Sequence, residues 1–170
     1  MTFAATSLIG ESFVGDGPNA AHLNVVLGRK GGPVETAWAT ALATPRQGHV
    51  PFVVVALPGV PVKPFTLFVN KADLRGERHE TLTWGAAQAG VARGVTRAVE
   101  DGIVPRADAD ALLLIAAVWV SWEADDADLV YANNAEATLG ALRAGVDGTP
   151  TLDDVLRAGA NPGNPFYGSR

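Results

Sequence analysis

His22 and Asn24 are the residues whose types and spacing best suit proton chemistry in this chain. They follow the glycine turn Gly15-Asp16-Gly17-Pro18-Asn19 and open the run His22, Leu23, Asn24, Val25, Val26, Leu27, Gly28. At the period of a strand, Leu23, Val25 and Leu27 share one face while His22 and Asn24 share the other. An imidazole beside an amide, opposite an apolar face, can titrate near neutral pH with a hydrogen-bonding neighbour. The same placement also suits an ordinary polar residue on an open sheet face. Lys71 closes an apolar strand, and Gln88 lies on the small-residue stripe of a helix. Each fits a plain surface or helix role as well as a ligand contact.

Other chemistries find no support in the sequence. There is no cysteine, which removes disulfides, thiolate metal sites and cysteine nucleophiles together. His22, His49 and His79 are far apart in the chain, so no zinc spacing is present. The acidic run Glu123, Asp125, Asp126, Asp128 reads as a helix start with a solvated face, and no metal is expected. There is no phosphate loop, no complete dinucleotide fingerprint and no Gly-x-Ser-x-Gly elbow. A net charge of −5 argues against nucleic acid as the main partner. The apolar run Ala111 to Val120 is about half the length of a membrane-spanning helix. The start of the chain lacks the pattern of a signal peptide. The expectation is a soluble, cytoplasmic protein of one domain over residues 1–170, with 150–170 as a weakly structured tail.

The elements that must hold these residues follow from periodicity and breakers. Thr6–Val14 and Ala20–Gly28 read as a hairpin around the glycine turn. Pro33–Ala43 reads as a helix with proline in its first turn. Pro51–Leu57 is β-branched and apolar, a buried strand. Pro58, Pro61 and Pro64 predict a stiff loop without regular structure, followed by a strand over Thr66–Lys71. A long helix is predicted from about Arg75 to Glu100, and its small residues let another element approach closely. Ala111–Trp122 reads as a central strand, with a second long helix from Asp125 and Asp126 to about Ala144. Thr151–Ala158 suits one short helix. The order is α+β, with a mixed or antiparallel sheet and helices packed on one face.

An ordered set of short motifs resembles the formaldehyde-activating enzyme family, the tetrahydromethanopterin-dependent hydro-lyases. It comprises Ile9-Gly10-Glu11, Gly15-Asp16-Gly17, Ala21-His22, Gly32-Pro33-Val34-Glu35-Thr36-Ala37, Lys63-Pro64-Phe65-Thr66-Leu67 and Asn70-Lys71. The set continues with Gly85 to Ala92, Gly102-Ile103-Val104-Pro105, Trp122 to Asp126, and Asn164-Pro165-Phe166. No single motif is specific, but together they span nearly the whole chain. The resemblance implies a left-handed βαβ fold, like the second domain of a ribosomal protein. It also implies a homopentamer with pterin clefts between subunits.

The implied reaction joins formaldehyde and tetrahydromethanopterin, as co-substrate, into methylene-tetrahydromethanopterin and water, with no bound cofactor or metal. It belongs to one-carbon metabolism, methylotrophy and formaldehyde detoxification. His22 matches the family's proposed acid, and Asn24, Val53, Lys71, Asp73 and Gln88 match its substrate contacts by position. Asn24 stands where the family usually has aspartate, Asp73 where it has threonine and Val53 where it has leucine. Two other readings stay open: the same reaction on a folate or another reduced pterin, and a pterin- or formaldehyde-binding protein without turnover.

Overall fold

The computed structural model describes residues 6–164, so Pro165 and Phe166 of the last motif lie outside the described residues. Strands β1 (Ser7–Val14) and β2 (Ala21–Arg29) form the expected hairpin, joined by a 3-10 turn at Gly17–Asn19. Helix α1 (Pro33–Ala43) follows, then β3 (Phe52–Val53), β4 (Val55–Leu57), β5 (Val60–Pro61) and β6 (Phe65–Asn70). Helix α2 (Gly76–Thr81) runs through a π-helical turn at Leu82–Ala87 into α3 (Gln88–Glu100). Strand β7 (Leu112–Trp119), α4 (Ala127–Asp147) and α5 (Leu152–Gly159) complete the order.

The main sheet runs β1-β2-β7-β6-β3. All neighbours are antiparallel except β6 and β7, which are parallel and joined through α2 and α3. The fold is therefore α+β with a mixed sheet. Leu23, Val25 and Leu27 of β2 are fully buried, as are Leu114 and Ala116 of β7 and Phe68 of β6. Together with Val91 and Val95 of α3 and Leu139 and Leu142 of α4, they form one apolar core. Burying each such side chain contributes about 1.5–3 kcal/mol, which fixes the strand faces against slippage.

The close approach expected of the small-residue stripe is made to α4, within the chain. A Cβ on Gly90 would fall 2.4 Å from the Tyr131 carbonyl oxygen, and one on Gly94 would fall 2.5 Å from Thr138 Cβ. That stripe is thus occupied inside the protomer. Asp126 starts α4 by accepting hydrogen bonds from the Asp128 and Leu129 amides, a cap of about 1 kcal/mol.

Three local readings are corrected. Residues 51–57 do not make one buried strand: β3 pairs with β6 at the sheet edge, and the chain then turns away into β4, where Leu57 is exposed. The proline-rich stretch after it is not irregular, because β4 and β5 pair as a small hairpin around Gly59. Its prolines are tolerated because this two-stranded ribbon needs few ladder bonds. The long helix is not uniformly α-helical, since the π turn widens it just before Gln88. Helices α3 and α4 cover one sheet face. Helix α1 lies at one end of the other, where Gly28 leaves room for Val34, whose Cγ2 would sit 2.5 Å from a Cβ there.

Candidate active site

Antiparallel partners direct their side chains to the same face. In the hairpin register Glu11 lies opposite Asn24 and Phe13 opposite His22; on the other side β7 places Ala117 beside Asn24 and Trp119 beside His22. These residues make up the face that α3 and α4 leave open. Lys71 follows the last residue of β6, and its amide donates to the Val118 carbonyl at 2.7 Å, continuing the ladder. Its side chain thereby reaches Asn24, where Nζ donates to Oδ1 at 2.8 Å.

His22 Nε2 lies 3.0 Å from Glu11 Oε1, and its ring is 5.9 Å from that of Phe13. Burial holds the imidazole below the usual histidine range, and the Lys71 ammonium pushes the same way. The Glu11 carboxylate opposes both through its charge and its hydrogen bond. Burial also pulls Lys71 down to about 8, against the raising influence of Glu11. Glu11, His22, Asn24 and Lys71 therefore form one electrostatically linked group. Glu11 was not singled out from the sequence. Counting back from the glycine turn would have found it, because Val14 opposite Ala21 fixes Glu11 two pairs beyond His22 in strand register.

Glu11→Gln is expected to lower the His22 pKa further, since it removes the influences that raise it. Lys71→Met is expected to raise it. An NMR titration of the imidazole reads both signs; an unchanged midpoint in Glu11→Gln would break the link.

The remaining residues singled out from the sequence fall elsewhere on the protomer. Val53 and Gln88 line an apolar cavity of about 330 Å³ at the sheet edge, with Val50, Phe52, Val55 and Trp84. Gln88 Oε1 accepts from the Val55 amide at 2.7 Å, which leaves its NH₂ group as the donor for a ligand. Asp73 Oδ1 sits 3.1 Å from His49 Nδ1, and its backbone carbonyl accepts from Trp122 Nε1 at 2.8 Å. It borders a polar cavity of about 510 Å³ with Gln47, Gly48, Leu74 and Glu80. No hydrogen bond or ion pair among the described residues joins Asp73 to the His22 group. The structure thus unites His22, Asn24 and Lys71, pairs Val53 with Gln88, and sets Asp73 apart.

Among the described residues, no group of three or more His, Cys, Asp or Glu could hold a metal. Nor is any helix long and apolar enough to cross a membrane. What the open face can do is move a proton at His22 and present an amine at Lys71.

Residues 9–167 match the family described as formaldehyde-activating enzyme. The chain is 41% identical over 160 residues to a 5,6,7,8-tetrahydromethanopterin hydro-lyase of Methanosarcina barkeri, covering 94% of this chain and 90% of that one. It is 40% identical over 149 residues to a bifunctional enzyme Fae/Hps of Methanococcoides burtonii, covering 88% of this chain and 38% of the relative. A bifunctional enzyme Fae/Hps of Methanothrix thermoacetophila is 35% identical over 163 residues, covering 96% and 42%. The chain spans about two-fifths of the length of these bifunctional relatives.

Proposed function

The chain belongs to the formaldehyde-activating enzyme family, and from that premise we propose that it is a hydro-lyase condensing formaldehyde with tetrahydromethanopterin. The observation that carries this reading is the near full-length identity to a tetrahydromethanopterin hydro-lyase. The group of Glu11, His22, Asn24 and Lys71 supplies chemistry that suits it.

Formaldehyde adds to a pterin nitrogen to give a carbinolamine, whose hydroxide is a poor leaving group. His22 protonates that hydroxyl, water departs, and the second nitrogen closes the ring while releasing a proton. The imidazole left by that step accepts the proton released on ring closure, so His22 ends the cycle as the imidazolium that began it. Glu11, 3.0 Å away, stabilises the imidazolium so formed. Asn24 and Lys71 hold the carrier beside it, and Val53 and Gln88 receive an apolar part of it. Asp73 contacts the substrate from its own cavity.

The three separate placements on one protomer favour a site completed by a neighbouring copy, in a homopentamer with the left-handed crossover of the family. A cytoplasmic role in one-carbon metabolism and methylotrophy follows from the same reading, with no resident cofactor. The test is the rate of methylene-carrier formation with tetrahydromethanopterin and with a reduced folate, each above its spontaneous background. Acceleration with tetrahydromethanopterin is expected. Acceleration confined to the folate would move the carrier, and none with either would favour a binding protein. Light scattering of the same preparation reads the ring, which an active monomer would contradict.

A further inference from the structure

The chain has three lysines, Lys30, Lys63 and Lys71. Lys63 is ion-paired to Asp110 at 2.7 Å, and its ammonium lies 3.9 Å from the centre of the Phe65 ring. Lys30 lies 5.3 Å from that same ring centre. Lys71 stands at the other end of β6, half-buried on the open sheet face, and among the described residues no carboxylate lies within ion-pair distance of it. The oxygen that holds its Nζ at 2.8 Å belongs to the neutral amide of Asn24. An amide accepts a hydrogen bond from an ammonium without pinning its charge as a carboxylate would. The group that can give or take a proton, His22, projects from the same strand and face as Asn24.

Resting on the reading that formaldehyde is the substrate, we propose that Lys71 is a catalytic nucleophile, capturing formaldehyde as a covalent Schiff base before it passes to the pterin. A desolvated lysine beside another titratable group is how proteins prepare an amine for attack on a carbonyl. Burial supports this, since a value of about 8 in place of 10.5 gives roughly 300-fold more free amine at neutral pH.

The steps balance without an oxidant or reductant. The Lys71 amine adds to the formaldehyde carbon, and one N–H proton moves to the oxygen, giving a hydroxymethyl-lysine. The His22 imidazolium protonates that hydroxyl; the C–O bond breaks, water leaves, and a methylene iminium remains on Lys71. A pterin nitrogen attacks the methylene carbon and gives its proton to the lysine nitrogen. The lysine C–N bond then breaks, releasing the amine and leaving the iminium on the pterin. The second pterin nitrogen closes the ring, and its proton returns to His22. The sum is formaldehyde plus two N–H groups going to one methylene bridge and water, the same as the uncaptured route. What changes is that formaldehyde is held on the protein before the carrier arrives.

The test uses the full chain with formaldehyde and cyanoborohydride at neutral pH, which reduces a lysine iminium to methyl-lysine, followed by peptide mass mapping over time. Lys71 is expected to be methylated at least tenfold faster than Lys30 and Lys63, and His22→Ala to slow Lys71 alone. Asn24→Asp is expected to slow it as well, by holding the ammonium. Lys71→Arg keeps the positive charge and the donor to Asn24, and is expected to lower kcat about 10²-fold, whereas Lys30→Arg and Lys63→Arg leave it unchanged. Methylation of Lys71 no faster than of the other two, or Lys71→Arg raising KM with kcat intact, would overturn the covalent role. Turnover of the unaltered protein is read in the same preparation. If that is present while Lys71 labelling fails, only the covalent step falls; if it is absent, the function itself does.

Discussion

His22→Ala lowers the turnover of formaldehyde with tetrahydromethanopterin by about 10²-fold or more, with the fold intact; this is the largest expected effect of a single side chain on activity. Hydroxide leaves a carbinolamine slowly, and a positioned acid contributes about 10²–10⁴-fold to such a step. A loss of 10²-fold is about 2.7 kcal/mol of transition-state stabilisation. The imidazole is 39% exposed, 3.0 Å from Glu11 and 5.9 Å from the Phe13 ring, and it is no part of the buried core, so its removal leaves no core cavity. The pH dependence carries a sign. If the imidazolium is the acid, the rate falls as pH rises through the His22 pKa, and that fall lies below the usual histidine range because burial and Lys71 lower the value. Glu11→Gln should shift the fall to still lower pH. A variant His22→Ala that turns over at the unaltered rate would remove His22 from the chemistry.

Gly10→Ala is expected to cost about 3 kcal/mol of stability or more, the largest effect of one methyl group in the fold. A Cβ at Gly10 would lie 1.9 Å from the Ala141 carbonyl oxygen, 2.8 Å from its carbon and 3.1 Å from the Gly145 amide nitrogen. All three are backbone atoms of α4, so no rotamer change relieves the clash; β1 must move off the helix. Glu11 is the next residue, on the opposite face, and would be drawn away from His22. Gly85→Ala is the control, since nothing lies within 4 Å of a Cβ there. Urea unfolding of the two variants reads the difference. Equal midpoints would mean that β1 and α4 pack less closely than described.

The strand face of the candidate site was legible along the chain because strand alternation is a local property. The run from His22 to Leu27 separates its two faces with no knowledge of partners, and the glycine turn fixes the hairpin that brings Glu11 to the same face. The motif series was equally local, and it carried the family. The proline-rich stretch misled for a local reason too: prolines exclude most ladders but not a short ribbon with few bonds to make.

The sequence by itself determined which face of β2 meets the core, that helices follow Gly32 and Asp126, and that His22 and Asn24 stand on the polar side of one strand. Only the tertiary structure decided that β6 lies beside β7 and β7 beside β2, which carries Lys71 across 47 positions of sequence to Asn24. It also decided that residues 51–57 end at a sheet edge and that Asp73 turns to His49 and away from the His22 group. Strand order is settled by how the two long helices cover one face while every apolar stripe is buried at once. That sum runs over the whole chain, and no window of neighbouring residues contains it.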